Sequence, residues 1–224
     1  GAVLKALVVL GTRPEAIKLA PVIQELRRRS AQTQLQCVVC VTAQHREMLD
    51  QVLALFSIEP DFDLDVMEES QTPSQIAATV LSRLEPVLET EKPDWVVVVG
   101  DTTTTVAAAL AAYHARIGVA HVEAGLRSHD KWRPFPEEIN RKIAGVIADI
   151  HFAPTHRSRQ NLIDEGVPPE QVLVTGNPVI DALHTVLKLP PPEGVAPFLS
   201  SLGPPSDGSN RQLVLVTAHR RESF

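Results

Sequence analysis

The chain has 224 residues, of which 44% are hydrophobic, so it can bury the core of one large domain or of two small ones. Its formal net charge of −6 argues against nucleic acid or an anionic membrane as the main partner. No apolar run reaches about 18 residues and no secretory signal is visible, so we expect neither a membrane span nor export. Cys37 and Cys40 lie three apart on a predicted strand and point to opposite faces, which predicts free, buried thiols in a reducing cytoplasm.

Predicted strands and helices alternate from the first residues onward. Short runs rich in valine and leucine are typical of strands buried on both faces of a parallel sheet, and runs with helical spacing of apolar residues are typical of helices. We predict strands at 5–10, 34–41, 63–67, 95–99, 119–124, 151–153 and 171–176, and helices at 13–29, 44–56, 73–89, 136–149 and 155–166, with one more in the Ala-rich segment after 102–105. This alternation predicts right-handed βαβ units and an α/β fold with a doubly wound, Rossmann-like parallel sheet.

The composition changes at residues 189–210, where six prolines and three glycines occur in 22 positions. Such a segment is typical of a linker or a loosely structured connection. The strand pattern then restarts in RQLVLV and the sequence stops soon after it. We therefore expect a Rossmann-like domain at 1–176, a hinge or linker at 177–210, and at 211–224 the start of a second Rossmann-like domain belonging to a longer protein.

Polar segments follow several of the predicted strands. They are GTRPEAIK (11–18), GDTTTT (100–105), EAGLRS (123–128), TGNP (175–178) and TAHRRES (217–223). Ligands of doubly wound sheets bind beyond the carboxyl ends of the strands, and helix N-termini attract phosphate. Neither GxGxxG in the first loop nor GxxxxGK[ST] is present, so the dinucleotide and P-loop fingerprints are absent from the sequence.

Arg13 and Lys18 flank the start of the first predicted helix. They are either solvated surface charges or part of a phosphate site. Because cations oppose the helix dipole at an N-terminus, binding of an anion is favoured for at least one of them. His219 follows the strand at 211–216 beside two arginines, so it is either structural or a candidate for binding an anion or transferring a proton.

Three carboxylates are candidates for acid–base chemistry. Asp101 either caps the helix that follows it or serves a site, and Glu123 has no helix to cap. Glu137 and Glu138 stand in a first helical turn, where the helix dipole alone would account for them. The functional interpretation depends on Asp101, Glu123 and Glu137 converging on one edge of the sheet. We find no HExxH, no zinc deaminase signature and no other metal motif in the sequence.

Eight ordered motifs resemble the non-hydrolysing UDP-N-acetylglucosamine 2-epimerases. They are GTRPEAIK, VTAQHREMLDQVL, GDTTTT, HVEAGLRS, PFPEEINR, THRSRQNLIDEGV, VTGNPVIDAL and TAHRRESF. The resemblance extends over almost the whole sequence and is weakest in the linker. It implies two Rossmann-like domains in the glycosyltransferase B arrangement, of which this chain supplies the N-terminal half. It also implies a homodimer and no cofactor.

The activity implied by the resemblance is reversible conversion of UDP-GlcNAc to UDP-ManNAc, by elimination of UDP to a 2-acetamidoglucal and re-addition. The positions that match the family's catalytic residues are Asp101, Glu123, Glu137 and His219. Those that match its substrate-binding cations are Arg13, Lys18, Arg141 and Arg220. Gln44, His45 and Gln71 resemble part of a second, allosteric UDP-GlcNAc site, at which Glu47 and Ser70 depart from the family pattern.

Three alternatives remain open at this stage. A hydrolysing epimerase would release UDP and free ManNAc, and a nucleotide-sugar glycosyltransferase of the same architecture would need an acceptor. A noncatalytic binding domain is the third alternative, although the unpaired start of a second sheet argues against it.

Overall fold

The computed structural model describes residues 3–42, 46–66 and 71–203, together with residues 214 and 216. The chain divides into two compact units, Gly1–His184 and Thr185–Phe224. The predicted strand at 211–216 lies largely outside the described residues. The predicted division at 176 and 210 remains a prediction.

In the described part of the first unit, one parallel sheet of seven strands organises the chain. Its strands are β1 (Leu4–Leu10), β2 (Leu35–Val41), β3 (Phe62–Asp63), β4 (Trp95–Val99), β5 (Gly118–Val122), β6 (Ile150–Ala153) and β7 (Val172–Val174). Their order in the sheet is β3-β2-β1-β4-β5-β6-β7, and every pairing is parallel. The direction of winding reverses between β1 and β4, as in a doubly wound sheet. The predicted fold class is therefore confirmed.

Helices cover both faces of the sheet. They are α1 (Arg13–Ser30), α2 (Arg46–Leu55), α3 (Pro73–Glu91), α4 (Thr103–His114), α5 (Glu137–Ile147), α6 (His156–Asp164) and α7 (Pro178–Val186). Helix α8 (Val195–Ser201) belongs to the second unit. Apolar side chains of α1 and α2 pack with Ala6, Val8 and Leu10 of β1, whereas those of α3 and α4 pack with Leu7 and Val9. Because successive strand residues alternate between faces, one valine- and leucine-rich strand supplies both cores.

The sequence predicted most of these elements and missed some. The third strand lies at Phe62–Asp63 instead of 63–67, and β5 ends at Val122. Helix α7 was not predicted, and α8 occupies part of the segment expected to lack regular structure. Proline starts α7, where its fixed φ suits a first helical turn. Cys37 and Cys40 are free thiols as predicted, but only Cys40 is buried, and Cys37 is half-buried.

No helix in the described ranges combines the length and the apolar character that crossing a membrane would need.

We expect Gly125→Ala to lower the free energy of unfolding by more than about 2 kcal/mol. Gly125 follows β5 with φ +87°, and an added Cβ would lie 2.1 Å from the backbone oxygen of Ser158 on α6. Gly166 is the matched control, since its φ is +96° but nothing lies within 4 Å of an added Cβ. Gly166→Ala should therefore cost only the left-handed backbone, about 1 to 2 kcal/mol. Urea unfolding of both variants checks this, and equal losses would contradict it.

Candidate active site at the carboxyl edge of the sheet

The candidate site lies where β4 and β5 end side by side. Val99 and Val122 are register partners, and the Gly100 N–H donates to the Val122 carbonyl. Glu123 directly follows Val122, and Asp101 follows Val99 after Gly100. A parallel sheet brings the carboxyl ends of neighbouring strands to one edge, so the fold places both carboxylates on the edge where ligands bind in this class of sheet.

Glu123 connects α1 with the loops that follow β5 and β7. Its side chain is buried, and Lys18 Nζ lies 2.5 Å from its Oε1. The Asn177 amide, after β7, donates to its Oε2 over 2.6 Å. A carboxylate taken out of water needs such partners, and here the two charges and the amide satisfy one another. Glu123 also has φ +59°, a conformation that non-glycine residues rarely adopt outside functional or tightly constrained positions.

Asp101 pairs with α5 and does not cap α4. The cap of α4 is Thr102, whose side chain accepts from the Thr105 N–H. This corrects the interpretation of Asp101 as an N-cap: the threonine one residue later has the extended backbone that a cap requires. The Asp101 carboxylate instead lies 2.5 Å from Nη2 of Arg141, and the Asn140 amide donates to the Asp101 carbonyl.

The two acidic residues at the start of α5 differ in their surroundings. Glu138 is buried and accepts hydrogen bonds from the backbone N–H groups of Ser128 and His129, both at 3.0 Å. Burial opposes its ionisation, but these donors and Arg141 outweigh burial and lower the pKa of Glu138. Glu138 therefore supports the loop before α5.

Glu137 lies one helical turn before Arg141 on the same helix. Its Oε2 is buried and has no hydrogen-bond partner among the described residues, and the same holds for Nε of Arg141. Buried polar atoms without partners are uncommon in proteins and call for an explanation. Glu137 and Arg141 thus both carry hydrogen-bonding capacity that no described residue uses.

Glu15, which sequence reasoning missed, is a buried carboxylate in the first turn of α1. Its Oε2 accepts from the N–H groups of Gly11 and Thr12, at 2.9 and 2.7 Å. Its Oε1 accepts from the hydroxyl of Thr102 at 2.7 Å. Burial raises the pKa of Glu15 despite these hydrogen bonds. The sequence signal was present: Thr12 and Glu15 form a capping box directly after a buried strand.

His121 lies beneath the edge on β5. It is fully buried, and its Nε2 is 2.7 Å from the carbonyl oxygen of Gly100. Burial lowers the pKa of His121 to about 4, so the ring is neutral at pH 7. A neutral ring donates through one nitrogen only, and the Gly100 carbonyl requires that nitrogen to be Nε2. His121 therefore fixes the turn that carries Asp101.

The remaining predicted residues are only partly described. Arg13 is the first residue of α1 and is exposed, and Gln71 is half-buried just before Thr72, the N-cap of α3. His219, Arg220, Gln44 and His45 lie outside the described residues. Within the described ranges, no group of three or more His, Cys, Asp or Glu side chains could hold a metal ion.

The fold and the edge together define a class of protein. A Rossmann-like sheet whose carboxyl edge holds paired carboxylates and cations beside helix N-termini is suited to acid–base chemistry on an anionic ligand. The sequence profile of the UDP-N-acetylglucosamine 2-epimerase family matches residues 26–224. The chain belongs to this family.

The relatives agree with this assignment. The chain is 51% identical over 221 residues to a UDP-N-acetylglucosamine 2-epimerase of Salmonella typhimurium, covering 99% of this chain and 58% of the relative. The crystal structure of UDP-GlcNAc 2-epimerase from Neisseria meningitidis bound to UDP-GlcNAc matches with a TM-score of 0.81 and 49% identity, over 90% of this chain and 54% of that one. The Methanocaldococcus jannaschii enzyme in complex with UDP-GlcNAc and UDP matches with a TM-score of 0.78 and 38% identity, over 88% of this chain and 54% of that one.

The chain spans little more than half the length of these relatives. Its sheet is of the Rossmann-like kind found in epimerases of the glycosyltransferase B type.

We expect His121 to make stability fall in acid. Because its pKa is about 4 in the folded chain and 6.5 is its ordinary value, the folded state binds the proton less readily than the unfolded state. The free energy of unfolding is therefore highest above pH 6.5, and it falls by on the order of 3 kcal/mol as the pH falls towards 4.

His121→Gln should reduce this loss, since glutamine carries no charge at either pH. Urea unfolding at pH 7.5 and pH 4.5 measures the difference. His114, exposed at the end of α4, provides the control. In His114→Gln, the free energy of unfolding should differ between the two pH values by as much as in the unsubstituted chain. If His121→Gln loses as much free energy of unfolding between pH 7.5 and pH 4.5 as the unsubstituted chain, His121 is not the group responsible.

Proposed function

We propose that the protein catalyses the reversible epimerisation of UDP-GlcNAc to UDP-ManNAc at carbon 2, without net hydrolysis. The observation that carries the proposal is the arrangement at one sheet edge of Glu123 with Lys18 and Asp101 with Arg141. Membership of the epimerase family and the relatives solved with UDP-GlcNAc supply the substrate class.

The chemistry explains why both kinds of charge are needed. A base must remove the weakly acidic proton on carbon 2 while UDP departs, which gives a 2-acetamidoglucal. The departing diphosphate carries negative charge that nearby cations stabilise. UDP then adds again, and carbon 2 receives a proton on the opposite face. The reaction thus needs a base, an acid and a cationic site for the leaving group.

We assign the acid and base roles to Asp101, Glu123 and Glu137, without fixing which is which. His219 is proposed to act beside the diphosphate. Arg13, Lys18, Arg141 and Arg220 are proposed to bind the substrate. In the structure Lys18 and Arg141 are each paired with a carboxylate, so a bound diphosphate would compete for the same cations. Such competition would free a carboxylate to accept a proton when the leaving group is in place.

Two further assignments belong to the same proposal. Gln44, His45 and Gln71 are proposed to contribute to a second UDP-GlcNAc site, and the protein is proposed to be a cytoplasmic homodimer. We also propose the division predicted from sequence, with a Rossmann-like domain at 1–176, a linker at 177–210 and the start of a second domain at 211–224. The intact mass of the native protein gives the length of its chain. Its mass in solution then shows whether two chains associate.

The decisive assay incubates the intact protein with UDP-GlcNAc in heavy water. We expect UDP-ManNAc to form with deuterium at carbon 2, because the proton removed there exchanges with solvent before re-addition. Accumulation of free ManNAc and UDP would establish a hydrolysing enzyme instead. No conversion and no exchange would remove the catalytic proposal.

Substitutions test whether the carboxylates of this edge take part in the reaction. We expect Asp101→Asn and Glu123→Gln each to lower kcat by about 100-fold or more, since each removes a group of the proposed proton-transfer set while keeping its shape. Glu25→Gln is the control because Glu25 is exposed on α1, where it pairs only with neighbouring arginines of that helix among the described residues. Wild-type rates in either edge variant would exclude that carboxylate from catalysis.

A further inference from the structure

Glu15 connects two loops that are far apart in the sequence. Its Oε2 accepts from the backbone of the β1–α1 loop at Gly11 and Thr12. Its Oε1 accepts from the hydroxyl of Thr102, 87 positions away, in the β4–α4 loop. Thr105 Oγ1 lies 3.3 Å from the same oxygen. We call these four groups with Glu15 the loop clamp.

Each loop of the clamp adjoins a residue of the proposed site. Thr102 follows Asp101 directly, and it also accepts from the Thr105 N–H, so its hydroxyl is held on both sides. On the other loop, Lys18 lies one turn beyond Glu15 on α1 and pairs with Glu123. A shift of Glu15 would therefore move both charged pairs of the edge relative to each other.

The clamp has an energetic cost that packing alone does not explain. Glu15 is only 3% exposed, and burying a carboxylate is unfavourable even when it is well hydrogen-bonded. Burial raises its pKa, which records that cost. An apolar side chain at this position would avoid that cost but would leave the N–H groups of Gly11 and Thr12 and the Thr102 hydroxyl without their acceptor. What the carboxylate adds is a rigid acceptor that binds both loops at once.

We propose that Glu15 is a positioning residue of the epimerase reaction, holding the Asp101 loop and the first turn of α1 in the arrangement that the chemistry requires. The inference rests on the proposed function for its kinetic consequence, whereas the clamp itself is a property of the fold. Glu15 acts through Thr102 and α1 and is not itself assigned contact with the substrate.

The kinetic test compares Glu15→Ala, Glu15→Gln and Thr102→Val in the intact protein. Glu15→Ala should lower kcat by about 10- to 100-fold with KM changed by less than about 3-fold, because displaced catalytic groups affect the transition state more than binding. Glutamine can still accept from Gly11 and Thr12 and can donate to Thr102, so Glu15→Gln should recover most of kcat. The double variant Glu15→Ala/Thr102→Val should have a kcat at most about 3-fold below that of the slower single variant. The effects do not add because both substitutions break the same hydrogen bond between Glu15 and Thr102.

The matched control is Asp149→Asn. Asp149 also accepts a backbone N–H, that of Val119, but at the amino end of β5, away from the edge. We expect kcat within about 2-fold of the unsubstituted protein, even where the loss of stability equals that of a clamp variant. Rates are compared at a temperature at which every variant is fully folded.

Hydrogen exchange tests the clamp without any substrate. In Glu15→Ala, amides at 11–12 and at 100–105 should both exchange faster, and in Asp149→Asn neither set should change. If Glu15→Ala does not fold, Thr102→Val should accelerate exchange at 11–12, across the clamp. If amide exchange accelerates only in the loop next to the substitution, the two loops are not coupled through Glu15.

The two proposals fail in distinguishable ways. If the unsubstituted protein leaves UDP-GlcNAc unchanged, the proposed function fails, and coupled exchange still supports positioning of the two loops by Glu15. If the protein is active but the clamp variants keep kcat, or if their effects add, positioning fails while the function stands.

Discussion

The pair of Lys18 and Glu123 joins residues 105 positions apart and holds α1 against the end of β5. Because the carboxylate is almost wholly buried, leaving it without its partners would be far more costly than an exposed ion pair is worth. Asn177 completes the arrangement from the loop after β7. One side chain therefore ties α1 to the loops that follow β5 and β7.

The same edge contains an unusual amount of buried polarity for so apolar a sheet. Glu15, Glu138 and His121 are all buried, and each is bonded to backbone groups of a loop rather than to another strand. Such groups stabilise one loop conformation at the expense of hydration. The two apolar layers on either face of β1 supply the stability that allows this. Apolar packing sets the fold, and buried polar groups set the geometry of the edge.

The sequence predicts the strands well, because runs such as WVVVV satisfy the requirement of two buried faces and little else. It predicts the edge less well. Asp101 and Thr102 are both good N-caps, and only the backbone conformation decides between them. The capping box of Thr12 and Glu15 can be recognised in the sequence, whereas the hydrogen bond from Thr102 to Glu15 depends on the order of strands. Charged partners distant in sequence, such as Arg141 for Asp101, likewise require the topology.

Two atoms on α5 favour a functional interpretation of the edge over a structural one. Oε2 of Glu137 and Nε of Arg141 are buried but lack hydrogen-bond partners within the described part of the chain. Leaving such groups unsatisfied costs about 1 to 3 kcal/mol each, which a purely structural helix would avoid. Both belong to a helix that already contacts Asp101 through Arg141. Packing within the described part of the chain does not offset this cost, and the helix that carries it is the one that also pairs with Asp101, as expected for a helix that serves the proposed site.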